Sequence, residues 1–263
     1  MTDYAPIIRP YLEFNITKMC NLKCLGCSRD SAFFEKDHAN FENYQKDLRA
    51  LSGVLWVNKF RILGGEPLLS GDLIRYLDVA RESGMFGEVG FCTNGILLRK
   101  QPDELFRHTD YVDVSIYPGV DYDKVKKTLV RQQTMNPKLK FTLKRIDSFT
   151  LTNLNYDNDL EKTLQVYREC HMAHFWSCHT FEDGYYYKCG KPLIQEHYDK
   201  ARGIDRHYRH GGIPIHEPEL QKRLWDYISD PNPLDHCRSC LGTSGPEYKH
   251  RQMADFREGL EFT

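Results

Sequence analysis

The stretch that decides the fold is residues 11–27, YLEFNITKMCNLKCLGC, near the start of the chain. Residues 11–16 predict a β-strand that runs directly into Cys20, Cys24 and Cys27, which are spaced C-x3-C-x2-C. Three close thiolates suit a cubane iron–sulfur cluster, and three ligands leave one iron open to bind a small molecule. A zinc loop or plain buried thiols are the alternatives. Zinc would need a fourth ligand nearby, and His38 is the only histidine before residue 108.

From this strand to about residue 150, the chain alternates between strand-like and helix-like pieces. Predicted strands cover residues 11–16, 60–63, 88–93, 111–117 and 139–146, and predicted helices cover residues 41–55, 73–83, 102–108 and 122–133. This β-α-β-α order predicts parallel strands joined by helical crossovers, which is an α/β fold. Such sheets carry their chemistry at the carboxyl ends of the strands. The three cysteines, residues 64–67 and residues 93–95 all fall there.

Composition narrows the class of protein. The chain has 263 residues with 36 Lys and Arg against 37 Asp and Glu, so its formal net charge is −1. This balance excludes a generally basic nucleic-acid binder. No apolar run approaches the roughly 18 residues of a membrane helix, and the first ten residues do not resemble a signal peptide. We therefore expect a cytoplasmic protein with neither nucleic acid nor membrane as partner. In a reducing compartment, nine cysteines indicate metal or redox chemistry rather than disulfides.

The character of the sequence changes after about residue 150. The second part predicts, in order, a helix, a hairpin, a polar helix, an irregular segment and an amphipathic helix, at residues 160–169, 174–188, 192–200, 204–218 and 220–228. The hairpin turns at Glu182-Asp183-Gly184. These changes divide the chain into a core over residues 8–150, an extension over residues 151–242 and a polar tail over residues 243–263.

A second set of cysteines lies in the extension. Cys178 and Cys189 flank the hairpin turn, so counting outward from its centre places them nearly opposite each other, about 5 Å apart. Cys237 and Cys240 form a later C-x2-C pair, and four thiolates would complete a closed site. The spacing leaves zinc and iron–sulfur both open. It also leaves open whether Cys170, which lies 19 residues before Cys189, replaces Cys178 as the first ligand.

The first half resembles the radical S-adenosylmethionine (SAM) superfamily. The resemblance rests on the C-x3-C-x2-C spacing together with Gly64-Gly65-Glu66-Pro67 at the end of the second predicted strand. These four residues match the family's Gly-Gly-Glu-Pro motif, which binds the methionine amino group of the cofactor. Glycines allow close backbone approach, and Glu66 supplies a charge-assisted acceptor. Four further positions resemble positions at which the family contacts the cofactor. Thr93 and Asn94 match a common family position after the third strand, Ser115 matches a contact to the ribose, and Arg145 matches a contact to the carboxylate.

The resemblance implies a partial (β/α)6-like barrel of parallel strands. It also implies a small C-terminal α+β subdomain of the twitch type, which holds an auxiliary cluster. S-adenosyl-L-methionine and two 4Fe-4S clusters are the implied cofactors, with Cys20, Cys24 and Cys27 on one cluster and Cys178, Cys189, Cys237 and Cys240 on the other. In one respect the chain departs from the family pattern: Gly26 stands where the family usually has an aromatic residue next to the adenine. The adenine is then expected to pack on Leu25 or Phe91.

The activity that the resemblance implies is reductive cleavage of S-adenosylmethionine to a 5′-deoxyadenosyl radical. This radical abstracts hydrogen from a small polar molecule of sugar or aminocyclitol type. The outcome is oxidation or epimerisation, and in an epimerisation Cys170 is the thiol expected to return hydrogen. An external electron donor of flavodoxin or ferredoxin type is an expected partner. The alternatives are modification of a ribosomally made peptide and, outside enzymes, an iron–sulfur or zinc binding protein. Enzymes of the peptide-modifying type usually carry an extra N-terminal peptide-binding domain, and we expect none here because only about ten residues precede the first predicted strand.

Overall fold

Strands and helices alternate through the first half of the chain, as its sequence predicts. The computed structural model describes residues 5–152, 159–195 and 207–253. The strands are β1 (Ile7–Thr17), β2 (Leu55–Gly64), β3 (Phe86–Thr93), β4 (Tyr111–Ile116), β5 (Lys140–Arg145), β6 (Ser148–Thr150), β7 (Thr180–Glu182), β8 (Tyr185–Tyr187), β9 (Gly212–Pro214) and β10 (Glu247–Lys249). The helices are α1 (Phe41–Ser52), α2 (Leu73–Glu82), α3 (Asp103–Arg107), α4 (Tyr122–Met135), α5 (Leu160–Glu169), α6 (His171–His174) and α7 (Leu220–Ser229).

A large sheet organises the molecule. Its eight strands lie in the order β5-β4-β3-β2-β1-β7-β8-β9. The strands β1 to β5 are mutually parallel and follow chain order, with β1 and β2 paired from Ile7↔Leu55 onward. Helical crossovers join them, which is the connection that parallel neighbours require. The mixed α/β class with a large parallel sheet is therefore confirmed, and it is consistent with a radical SAM partial barrel.

The hairpin of the second half extends this same sheet. β7 pairs parallel with β1 through Glu13↔Thr180, and β8 and β9 continue antiparallel from β7. Phe181 and Tyr186 are fully buried in the same apolar cluster as Phe14 of β1. A separate antiparallel pair joins β6 to β10. The hairpin thus continues the sheet and core of the first half, while the boundaries at residues 150 and 242 stay predictions.

The apolar core lies between the sheet and the helices. On β1, Leu12, Phe14 and Ile16 enter the core, whereas Glu13 and Asn15 between them point to the opposite, inner face. Helix α1 covers the core with Tyr44, Leu48 and Leu51, one or two turns apart on a single stripe. The sheet therefore has one apolar face under helices and one inner face that carries polar side chains.

Three of the helices begin at a short polar side chain that caps them. The side chains of Asn40, Asp121 and Asp159 accept hydrogen bonds from backbone N–H groups three residues later, at α1, α4 and α5. Pro102 directly precedes α3. The predicted polar helix at residues 192–200, the irregular segment at 204–218 and the tail at 243–263 lie partly outside the described residues. Within the described ranges, no helix combines the length and apolar character needed to cross a membrane.

Candidate functional site

The first predicted site forms where β1, β2 and β3 end. The backbone N–H of Gly65 donates to the carbonyl of Thr17 at 2.9 Å, and the N–H of Glu66 donates to the carbonyl of Met19 at 2.7 Å. The loop after β2 therefore lies directly against the chain that enters the cysteine loop at Cys20.

Two glycines make this approach possible. An ideal Cβ on Gly64 would lie 2.0 Å from the carbonyl oxygen of Thr17, and one on Gly65 would lie 2.0 Å from that of Met19. Real Cβ atoms do not come so close to backbone oxygens. From the sequence we expect these glycines to approach a ligand, whereas the structure shows them against the neighbouring loop of the protein itself.

Glu66 links the loop after β2 to the loop after β3 by hydrogen bonds. Its side chain is fully buried and accepts hydrogen bonds from the hydroxyl of Thr93 at 2.7 Å, from the N–H of Asn94 at 2.8 Å and from the N–H of Leu68 at 3.1 Å. Burial raises the pKa of this carboxyl to about 7. A carboxylate has about four acceptor positions, so one remains for a ligand. Pro67 begins the short 3-10 helix that follows.

Asn94 connects these loops to the first cysteine. Its amide nitrogen donates to the side-chain oxygen of Asn21 at 2.6 Å and lies 3.9 Å from the sulfur of Cys20. The structure therefore brings Glu66, Thr93 and Asn94 together beside the cysteine loop, as the sequence predicted.

The chemistry of the cysteine loop fits a metal cluster. Burial raises the pKa of Cys20 to about 12 and that of Cys24 to about 11, so both are neutral thiols until a metal displaces their protons. In the described part of the chain, no three His, Cys, Asp or Glu side chains converge to hold a single metal ion. A four-iron cluster does not need such convergence, because each cysteine binds a different iron.

Ser115 and Arg145 lie on opposite faces of the sheet. Ser115 shares the inner face with Asp113, whereas Arg145 pairs in register with Ile116, which is buried in the core. The guanidinium of Arg145 lies 4.7 Å from the ring centroid of Tyr122 at the start of α4. The expectation that Arg145 binds the cofactor carboxylate is therefore not supported, since side chains alternate along a strand and this one faces away.

The two residues expected to pack on the adenine are both buried. Leu25 and Phe91 have no exposed surface, and Phe91 belongs to the apolar core under the helices. Phe91 therefore faces away from the inner face of the sheet, and the contact of Leu25 with the adenine stays a prediction.

A charged network covers the inner face of the sheet, and the sequence reading missed it. Glu13, which is 2% exposed, accepts from Arg29 at 2.5 Å and from Arg61 at 3.4 Å, and Arg61 also contacts Asp113 at 3.0 Å. Among the residues that the structure describes, the side-chain nitrogen of the buried Asn15 nearby has no hydrogen-bond partner. The signal was available in residues 12–16, LEFNI, where polar residues alternate with apolar ones in a strand predicted to be buried.

Four of the five later cysteines line one cavity in the second half. These residues are Cys170, Cys189, Cys237 and Cys240. Burial raises the pKa of Cys189 to about 12, and its thiol neighbours Cys240 and Cys170 raise it further. A turn closes the cavity at Gly242, where an added Cβ would lie 3.4 Å from the Cys170 sulfur.

Cys178 does not line this cavity, in contrast to the expectation from the hairpin. Burial raises its pKa to about 12, and its leading charged neighbours are Glu13, Arg29 and Arg61 of the inner face. The reason is local. β7 begins only at Thr180, so the antiparallel ladder stops two residues short of Cys178, although Cys189 is still among the neighbours that raise its pKa. Cys170 therefore lies with the other three thiols around this cavity.

A buried cation accompanies the four thiols. Lys188 lines the same cavity, is 3% exposed, and donates to the carbonyl of Asp230 at 2.7 Å and to the hydroxyl of Tyr167 at 3.1 Å. Burial lowers its pKa, while Asp230, Cys237 and Cys189 counteract this effect. Four thiolates around a metal centre carry net negative charge, so a fixed cation beside them suits that occupant.

Comparison with known proteins agrees with this geometry. The model of the radical SAM superfamily matches residues 14–182. The GTP 3',8-cyclase of Clostridium botulinum is 31% identical over 97 residues, which cover 36% of this chain and 30% of that protein. The probable GTP 3',8-cyclase of Archaeoglobus fulgidus is 37% identical over 94 residues, with the same coverage. The chain thus matches about a third of the length of these curated relatives.

A solved structure resembles nearly the whole chain. BtrN in complex with AdoMet and 2-DOIA covers 90% of this chain and 94% of its own, with a TM-score of 0.51 and 14% identity. At that identity the likeness concerns the fold. The family match spans more than half of the 263 residues and contains both the cysteine loop and the Gly-Gly-Glu-Pro loop. The chain therefore belongs to the radical SAM superfamily, whose members use S-adenosylmethionine and a 4Fe-4S cluster.

Proposed function

We propose that this chain is a radical SAM oxidoreductase acting on a small polar molecule of sugar or aminocyclitol type. We further propose that Cys170, Cys189, Cys237 and Cys240 hold a second 4Fe-4S cluster. The observation that carries the proposal is the cavity lined by these four thiols. When bound, S-adenosylmethionine and the reduced N-terminal cluster supply a 5′-deoxyadenosyl radical, and a second, fully ligated cluster supplies a one-electron acceptor. An external donor of flavodoxin or ferredoxin type would provide the reducing electron.

The residues of the first site have distinct tasks in this proposal. Cys20, Cys24 and Cys27 hold the first cluster. Glu66 offers its remaining acceptor position to the amino group of the cofactor, and its hydrogen bonds to Thr93 and Asn94 fix its orientation. Since that carboxylate is preorganised by the protein, little reorganisation accompanies binding.

The inner face supports a polar substrate. Glu13, Arg29, Arg61 and Asp113 alternate acceptors and donors across three strands and the cysteine loop, and Asn15 adds an unpartnered amide nitrogen. Hydroxyl and amino groups can exchange hydrogen bonds with such a surface, whereas an apolar molecule would cover its polar atoms, the amide nitrogen of Asn15 among them, without offering them any hydrogen bond. This surface favours a compact, hydroxylated or aminated molecule.

Epimerisation is a second candidate, and the position of Cys178 favours it. Burial raises the pKa of Cys178 to about 12, so this thiol keeps its proton beside the charged network of the inner face. Such a thiol could give a hydrogen atom to a substrate radical. The resulting thiyl radical would regain one electron from the external donor and one proton from water. In this version Cys178, rather than Cys170, returns the hydrogen.

Two matched variants test the ligand assignment. Wild type should contain about eight irons per chain after anaerobic reconstitution, and Cys170→Ala should retain about four, given four irons per cluster. Cys178→Ala should keep the wild-type iron content. If Cys178→Ala lost about half of the iron and Cys170→Ala kept the wild-type content, Cys178 would be the ligand, as the hairpin register predicts. About four irons with one zinc in wild type would replace the second cluster by a zinc site.

Product analysis tests the reaction. Holoprotein, S-adenosylmethionine and reductant are incubated with 2-DOIA, with GTP or with a short peptide, and 5′-deoxyadenosine is quantified for each. A product lighter by two hydrogens indicates oxidation, and unchanged composition with deuterium uptake from heavy water indicates epimerisation. Turnover of GTP would instead favour the chemistry named for the cyclase relatives, and turnover of the peptide would favour peptide modification.

A further inference from the structure

Residues 247–253, near the end of the chain, lie against the first cysteine loop. The N–H of Leu25 donates to the carbonyl of Arg251 at 3.0 Å, and the N–H of Met253 donates to the carbonyl of Lys23 at 2.6 Å. Cys24 and Gln252 form an antiparallel bridge between these segments. The segment is anchored from the other side because β10 pairs with β6. This segment, which the sequence predicted to belong to a polar tail, therefore forms one wall of the first cluster site.

The side chain of Gln252 is oriented towards the sulfur of Cys24. Its oxygen accepts a hydrogen bond from the N–H of Lys23 at 2.7 Å, and its nitrogen donates to the Cys24 sulfur at 3.4 Å. A backbone N–H can only donate, so the amide oxygen must face Lys23 and the NH2 group must face the sulfur. This assignment follows from the hydrogen bonds and does not depend on distinguishing the two amide atoms.

The ring of His250 lies beside the same sulfur and is held there by two aromatic contacts. Its Nε2 lies 3.1 Å from the Cys24 sulfur. The ring stacks on Tyr117 with centroids 5.0 Å apart and meets the edge of Phe149 at 4.9 Å. A cysteine sulfur bound to iron has no proton to donate, so this contact is a hydrogen bond when His250 carries its proton on Nε2. The side-chain nitrogen of Gln252 also lies 3.5 Å from His250 Nε2. Cys24 would thus receive two side-chain donors from one strand end.

Because Gly26 has no side chain, residues 247–253 can pack directly against it. An added Cβ at Gly26 would lie 1.9 Å from the hydroxyl of Tyr248, which donates to the carbonyl of Leu25 at 3.0 Å. Gly26 also has φ 60°, where a side chain is strained. The aromatic residue that relatives usually carry here would therefore displace Tyr248. In this chain the aromatic group beside the cysteine loop comes from β10 instead.

We propose that Gln252 and His250 are positioning residues for the first cluster, which donate hydrogen bonds to the sulfur of Cys24 and thereby raise the reduction potential of that cluster. Reduction adds negative charge to the cluster and its sulfur ligands. Donors aimed at a ligand sulfur stabilise that charge more in the reduced than in the oxidised state. The proposal rests on the family assignment and is independent of the proposed substrate.

The test measures the midpoint potential of the first cluster in reconstituted holoprotein. Electron paramagnetic resonance detects the reduced clusters, and the first cluster is the one whose signal changes when S-adenosylmethionine is added. Gln252→Leu removes one donor at similar size, and His250→Phe removes the other while retaining a ring to stack on Tyr117. Met253→Leu is the matched control, because it changes a neutral side chain in the same segment. Iron content is measured for each protein.

The two test variants should shift the midpoint potential to lower values, and the double variant should shift it further. Met253→Leu should leave it at the wild-type value. Unchanged potentials in both single variants would overturn the proposal, even if less iron were bound, since a merely structural role lowers loading without moving the potential. If Gln252→Leu fails to load iron, His250→Phe decides the question by the same measurement.

Discussion

Gly65→Ala is expected to separate the loop after β2 from the cysteine loop. The added Cβ would lie 2.0 Å from the carbonyl oxygen of Met19, 2.3 Å from its carbonyl carbon and 2.7 Å from the carbonyl oxygen of Lys18. All three atoms are backbone, so no side chain can move aside. Since real Cβ contacts stay beyond about 3 Å, the two loops must part by about 1 Å.

That separation has a definite cost. The hydrogen bonds from Gly65 to Thr17 at 2.9 Å and from Glu66 to Met19 at 2.7 Å would stretch beyond ordinary hydrogen-bond length. Each buried donor left without a partner costs about 1–3 kcal/mol, so the variant should lose roughly 2–6 kcal/mol of unfolding free energy. A domain typically has about 5–15 kcal/mol in total. The thermal midpoint should fall by at least about 4 °C at this chain size.

The assay is urea and thermal unfolding of wild type and variant, prepared with the same iron content. Gly71→Ala is the matched control, because an added Cβ there has no atom of the described part of the chain within 4 Å and the residue is exposed. The control should stay within about 1 kcal/mol of wild type. Equal unfolding midpoints for Gly65→Ala and Gly71→Ala would refute the close approach of the two loops.

Two further predictions concern cofactor and metal binding. Glu66→Gln should weaken S-adenosylmethionine binding roughly ten- to a hundredfold in iron-loaded protein, because it removes a charge-assisted acceptor. Calorimetry measures the affinity, and Glu104→Gln, at an exposed position, is the control. Equal affinities of Glu66→Gln and wild type would place the amino group of the cofactor elsewhere. Iron incorporation should rise from about pH 7 to about pH 9, since iron must displace protons from Cys20 and Cys24, whose pKa values burial raises to about 12 and about 11. Loading that falls with rising pH, measured by iron and sulfide analysis, would contradict this assignment.

Local spacing in the sequence was enough to predict the first half. Alternating strand and helix patterns predicted that β1 to β5 are parallel, and the C-x3-C-x2-C and Gly-Gly-Glu-Pro motifs lie at the carboxyl ends of strands in such a sheet. These features depend on contacts within one β-α unit or between neighbouring units. The convergence of Glu66, Thr93 and Asn94 followed because adjacent parallel strands end at the same edge.

Sequence reasoning was weaker wherever a residue's neighbour comes from a distant segment. The placement of Cys178 depended on extending a hairpin register beyond its strands, and the ladder of β7 and β8 ends at Thr180, two residues short of Cys178. The face taken by Arg145 depended on the phase of β5, where a shift of one residue reverses the side.

The sequence by itself determined the family, the order of the elements and the residues of the cysteine and glycine loops. Only the tertiary structure decided that Cys170 joins Cys189, Cys237 and Cys240, and that Gln252 and His250 reach Cys24 across more than 220 residues. The physical reason is that periodicity and motif spacing report on contacts a few residues apart. The packing of chain ends and loops onto a site depends instead on how the whole sheet places them in space.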